Sequence, residues 1–156
     1  MNIRVVYGEI EINDINNFFD ELKGCNAVFI DADYVLDLET LKFAARKALK
    51  SWKTGRNVAK TLPIEVLLYI AARRQINEAL KIGVKKGLNK VVVVLINDCL
   101  EILKRLGFVE KKFNPTPNIK KILDFYEIGK KELEIVGMEK LPLLIRERIV
   151  LFDLSK

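Results

Sequence analysis

The sequence predicts a mixed, helix-rich α/β fold: a small sheet of three to four strands wrapped by about six or seven helices. Three observations carry this reading. Three short β-branched runs, IRVVYG (3–8), AVFID (27–31) and KVVVVLI (90–96), have the composition of strands. The longer segments around them repeat apolar residues at helical spacing, between capping residues and glycines. No repeat, low-complexity tract or long linker divides the 156 residues, so they read as one domain, 1–156.

In chain order, IRVVYG opens the sheet, with room for a further short strand at Glu9–Ile12. NDINNFFDELKG starts a helix at Asn13 and stops it at Gly24, with Ile15, Phe18, Phe19 and Leu22 on one face. After AVFID, Asp37 caps a helix that ends near Gly55, and its apolar face holds Leu38, Leu41, Ala45, Ala48, Leu49 and Trp52. The segment Leu62 to Ile82 follows Thr61, has Pro63 in its first turn and Gly83 beyond its end, and reads as one helix. Its core face gathers Ile64, Leu68, Ala71, Ala72, Ile76, Ala79 and Ile82, with Gln75 among them as a buried, hydrogen-bonded amide. KVVVVLI is apolar on both faces, as a central, covered strand is.

Further helices are expected from Asn97 or Asp98 to Gly107, and from a Thr116 cap with Pro117 in first position to Gly129. A short KKELEIVG helix comes next. The last segment, LPLLIRERIVLFDL, reads as a helix with Pro142 in its first turn, and RIVLFDL as a buried strand is the alternative. As a helix it carries two apolar stripes. One is Leu141, Leu144, Ile145, Ile149, Leu151 and Phe152, and the other is Leu143, Val150 and Leu154.

The chemistry that is missing narrows the function. There is no histidine, which removes the commonest general base, the usual zinc ligands and every Ser-His-Asp or Cys-His arrangement. No phosphate loop, dinucleotide fingerprint, calcium loop or HExxH motif occurs. Asp31 and Asp33 are the best acidic pair. They read as turn and capping residues, or else as magnesium ligands of a small metal-dependent enzyme. The expectation is a protein without catalytic residues, cofactor or metal. Cys25 and Cys99 form no CxxC and read as reduced thiols of a cytoplasmic protein, with a disulfide left open. No apolar run reaches the ~18 residues that span a bilayer.

Charge placement says more. Between Thr40 and Asn77 lie nine basic residues and one acid, Glu65, so this segment carries +8 of a net +6 and the remainder sums to −2. A basic patch in a near-neutral body is the footprint of a polyanion binder, although a solvated lysine-rich surface has the same composition. Lys42, Arg46, Lys50 and Lys53 form a stripe beside the apolar face of their helix, where like charges repel unless something negative lies across them. On the helix that follows, Val66, Leu67 and Ile70 lie opposite the expected core face, followed by Arg73, Arg74, Asn77 and Lys81. The basic loop and helix faces therefore nominate Arg56, Asn57, Lys60, Arg73, Arg74 and Asn77 for a polyanion, which would be RNA if the resemblance given below holds, with Lys42, Arg46, Lys50 and Lys53 as a secondary set. Helical geometry nominates Leu143, Val150 and Leu154, together with Val66 and Ile70, for a protein partner.

The stretch GRNVAKTLPIEVLLYIAARRQINEAL resembles the motif region of the small kinase-binding subunit of the KEOPS complex, the p53-related protein kinase-binding protein family. The likeness rests on the GRN-x-AK loop, Glu65, LLY at 67–69 and RQI at 74–76, and the IRVVYGEI, KVVVVLI and ERIVLFDL surroundings extend it along the chain. The resemblance implies a non-catalytic subunit of the assembly that makes threonylcarbamoyladenosine in tRNAs reading codons that begin with A. It further implies binding to the small lobe of the complex's kinase-like ATPase subunit and recruitment of tRNA through its single-stranded 3′ CCA end. A protein-interaction subunit without direct RNA contact is the competing reading.

Overall fold

The computed structural model describes residues 2–156. Strand β1 (Arg4–Ile12) and helix α1 (Ile15–Glu21) lead into β2 (Ala27–Asp31). Helices α2 (Leu38–Lys53), α3 (Leu62–Ala71) and α4 (Ile76–Ala79) then precede β3 (Gly87–Leu95). Helix α5 (Leu100–Arg105), strand β4 (Val109–Lys111) and helices α6 (Ile119–Phe125), α7 (Lys130–Val136) and α8 (Leu141–Ser155) complete the order. The mixed, helix-rich α/β class is as the sequence predicts, and the last segment is a helix.

The sheet runs β2-β3-β1-β4, and every pairing is antiparallel. β3 is central: Arg4↔Leu95 through Ile12↔Gly87 on one side, Ala27↔Leu95 through Asp31↔Val91 on the other. Alternate side chains point to opposite faces. Val92 and Val94 enter a larger core with residues of α2, α3, α6 and α8, while Val91, Val93 and Leu95 enter a smaller one with α1 and α5. Both faces of β3 are therefore covered, which is why its run lacks polar alternation. Glu9–Ile12 continues β1 and is not a separate strand. β4 has no counterpart in the sequence reading; three exposed residues give no period to detect. Gly8 admits it, because a Cβ there would lie 2.1 Å from the Val109 carbonyl oxygen.

Three expectations are corrected. First, 62–82 is not one helix. α3 ends at Ala71 and is capped by Ala72, whose φ of 53° is left-handed, and Gln75 is extended before α4 begins. Continuing the helix would need the Ile70 carbonyl to accept the Arg74 N–H. It accepts instead from the Tyr126 hydroxyl at 2.7 Å, at the end of α6. Gln75 is exposed and braces nothing, and Ile76 is 45% exposed. Second, α6 begins at Ile119, with the Asn118 side chain accepting from the Lys121 N–H, so Thr116 and Pro117 lie in the preceding loop. Third, Cys25 and Cys99 form a disulfide. The Asn97 carboxamide accepts from the Asn26 N–H and donates to the Gly24 carbonyl, which draws the start of β2 to the start of α5.

Candidate nucleic-acid interface

α2 forms as the sequence requires. The Asp37 carboxylate accepts from the Thr40 N–H at 3.1 Å, and Leu41, Ala44, Ala45, Ala48 and Leu49 are buried. Lys42, Arg46, Lys50 and Lys53 fall on the edge beside that face and line a groove of about 650 Å³ with Asn2, Ile3, Leu49 and Thr54. Four cations and no carboxylate line it. Among the described residues none of the four is in an ion pair, whereas neighbouring Lys47 lies 3.6 Å from Asp153. Four unneutralised charges on one edge create a field that an anion can answer.

The loop that follows α2 begins at Thr54, the last residue of the groove's lining. Thr54 donates to the Lys50 carbonyl, and Gly55 takes φ +74° to turn the chain. Arg56, Asn57 and Lys60 are exposed on this loop. What holds it is Glu65, which is fully buried near the start of α3. One carboxylate oxygen accepts the N–H of Val58 at 2.9 Å and of Ala59 at 2.8 Å. The other accepts from the Ser51 hydroxyl at 3.0 Å and lies 3.7 Å from the Lys156 ammonium. Lys156 donates in turn to Ser51 Oγ and, at 2.9 Å, to the Arg56 carbonyl. Burial pulls its ammonium below the usual lysine value against the opposing pull of Glu65. Glu65 belongs to the motif noted in the sequence, but its partner Lys156 is too distant along the chain to be read there.

Asp153 and Tyr69 extend the network. The Tyr69 hydroxyl donates to Asp153, and the Arg56 guanidinium donates to the Asp153 carbonyl at 3.3 Å. Burial pushes Tyr69 well above the ordinary phenol value. Burial also opposes ionisation of Asp153, but the Tyr69 hydrogen bond and the charges of Lys47, Lys156 and Arg56 outweigh it and hold this carboxyl below its usual range.

The second nominated cluster divides. Arg73 is not an outward-pointing cation. Its guanidinium pairs with Glu78 at 3.1 Å, donates to the Phe125 carbonyl and stacks 4.7 Å from the Phe125 ring. Arg74 and Asn77 are exposed. They sit beyond the C-terminal end of α3, about 15 Å of helix from the 54–60 loop. The groove thus gathers Lys42, Arg46, Lys50 and Lys53, the 56–60 loop follows it in the chain, and Arg74 and Asn77 lie apart.

Of the nominated partner residues, Leu143 (56%) and Leu154 (75%) are exposed on α8 and Val150 is half-buried. Leu151, expected in the core stripe, is exposed as well. Val66 and Ile70 are corrected: at 0% and 3% exposure they belong to the core. α3 is buried on all sides, so its apolar residues define no outer face. Asp31 and Asp33 are engaged in a turn and an ion pair. Asp31 accepts from the Asp33 N–H at 3.0 Å, and Asp33 meets Lys121 at 2.8 Å. Among the described residues no group of three acidic or cysteine side chains could hold a metal, and no helix is long and apolar enough to cross a membrane.

These features define a class: a small basic α/β protein whose distinguishing surfaces are a cation-lined groove and an exposed apolar stripe. The chain belongs to the kinase binding protein CGI-121 family, whose sequence model matches residues 11–151. It is 38% identical over 82 residues to the KEOPS complex subunit Cgi121 of Pyrococcus abyssi (strain GE5 / Orsay). That match covers 49% of this chain and 48% of the relative, about half of each. The family to which the GRN-x-AK and RQI residues pointed is the one the chain belongs to.

Proposed function

We propose that this protein is a non-catalytic accessory subunit of a KEOPS complex, serving tRNA threonylcarbamoyladenosine synthesis in the cytoplasm. It binds the kinase-like ATPase subunit and recruits tRNA through the single-stranded 3′ CCA end. The observation that carries the RNA part is the groove lined by four cations, followed in the chain by the exposed Arg56, Asn57 and Lys60. Single-stranded RNA is held by cations on phosphate and by side chains on splayed base edges, and this surface offers both. Arg74 and Asn77 supply a second contact beyond α3. Arg73 is reassigned to holding that turn. The kinase contact is supported by the family's name and the KEOPS contact by the relative's, with Leu143, Val150 and Leu154 as the surface for it.

The test is affinity capture of the chain from native extract at moderate salt, scored for the kinase-like ATPase subunit and for tRNA together. Recovery of both is expected. Recovery of the kinase subunit alone, unchanged by Lys42→Glu and Lys53→Glu, would favour a protein-interaction subunit whose groove carries no RNA.

A further inference from the structure

We propose that Glu65 and Lys156 are positioning residues for the RNA-contacting loop, a buried ion pair that fixes residues 56–60 in the form that binds tRNA. This rests on the tRNA reading above.

Glu65 is a carboxylate with no exposure in a helix that is otherwise apolar and buried. A buried charge is unfavourable unless it is paired and hydrogen-bonded, and hydrophobic packing alone is served better by a leucine or methionine. Glu65's neighbours show what its charge does. Both loop N–H groups, the Ser51 hydroxyl and the Lys156 ammonium converge on it. Apart from α8, the loop's other ties are the Arg56 N–H, which donates to the Ser51 carbonyl at 2.9 Å, and the Asn57 carboxamide, which donates to the Ala59 carbonyl at 2.9 Å, and of residues 56–60 only Ala59 is buried. Arg56 is gripped twice by the last turn of α8, through its carbonyl by Lys156 and through its guanidinium by the Asp153 carbonyl. Lys156 cannot itself reach RNA, since only 2% of its side chain is exposed. It acts through Arg56 and Glu65.

Apparent affinity scales with the fraction of molecules in the competent form. If loosening the loop leaves it competent about one fifth of the time, affinity falls about fivefold. Phosphate contacts are untouched, so the dependence of log K on log salt keeps its slope, whereas loss of one phosphate contact on a single strand removes ~0.7 from it. A role confined to overall stability moves neither quantity in the folded protein.

The experiment measures tRNA binding by the full chain across a salt series, for the unmodified protein, Lys156→Met, Ser51→Ala and Lys60→Ala. Amide exchange of Val58 and Ala59 is followed in parallel. Ser51→Ala removes only the hydroxyl bridging Glu65 and Lys156, so it retains a test if Lys156→Met does not fold. The expected result is weaker binding at unchanged slope and faster exchange at Val58 and Ala59 for Lys156→Met and Ser51→Ala, against a shallower slope for Lys60→Ala. Wild-type affinity in both lock variants while Lys60→Ala weakens binding overturns the positioning role and leaves the tRNA reading standing. A shallower slope in Lys156→Met also overturns it, because Lys156 would then contact RNA directly. No salt-dependent tRNA binding by the unmodified chain overturns the functional reading and this inference with it.

Discussion

Replacing Lys42, Arg46, Lys50 and Lys53 together by alanine removes every cation that lines the α2 groove. If each contacts one phosphate of a single strand, the four account for about 2.8 of the slope of log K against log salt, at ~0.7 per contact. Between 50 and 200 mM salt, concentrations over which such contacts are commonly compared, that share alone weakens binding roughly fiftyfold. The quadruple variant should lose most of that dependence. Its fold should gain, because like charges four apart on a helix repel by ~0.2–0.5 kcal/mol per pair and Lys42–Arg46 and Arg46–Lys50 are two such pairs. Lys47→Ala is the control: its ammonium is already answered by Asp153, so the slope should barely change. Fluorescence anisotropy of labelled tRNA, with a urea unfolding curve for each variant, reads both quantities. An unchanged slope in the quadruple variant would refute the groove as an RNA surface, and an unfolded variant would refute the view that these charges serve binding at the expense of stability.

Other perturbations test other parts of the account. Arg73→Ala should lower stability by about 1–3 kcal/mol, by stripping Glu78 and the Phe125 carbonyl of a charged partner, and should leave the salt slope unchanged. Asp153 has a depressed carboxyl, so its contribution is complete above the unfolded value of ~3.9 and is lost as pH falls through the lower folded value. Asp153→Asn should therefore lower the urea midpoint at pH 6 and flatten its decline between pH 4 and 2. Cys25→Ser opens a crosslink spanning 74 residues and should cost up to about 4.4 kcal/mol in the chain-entropy account, or roughly 9–18 °C of Tm. Full reduction of the unmodified protein by dithiothreitol should lower Tm by the same amount.

What could be read from the sequence was local. Asp37 caps α2, four cations fall beside its apolar face, and the β3 valines announce a covered strand, because each signal lies within a few residues. The break after Ala71 could not be read. Ala72 takes a left-handed conformation without the glycine that usually marks it, and the Tyr126 hydroxyl that bonds the Ile70 carbonyl at this helix end comes from fifty-six residues away. The misassignment of Arg73 follows from that break, and that of Val66 and Ile70 from the burial of α3. A helix buried all round has no polar face from which to infer an outside, and Arg73 is anchored to a residue of α6. The disulfide and the Glu65–Lys156 pair were hidden for the same reason, since both join residues distant in sequence. The groove emerged from local periodicity, and the lock beneath its loop emerged only from the fold.

A chain that holds the 3′ end of tRNA distinguishes one tRNA prepared with its CCA from the same tRNA without it, titrated at a single fixed salt concentration. Hydrogen bonds to charged groups are worth about 1.5–3 kcal/mol each, so losing even one such contact to the end should weaken binding about tenfold or more. Equal affinity for the two RNAs would contradict that role.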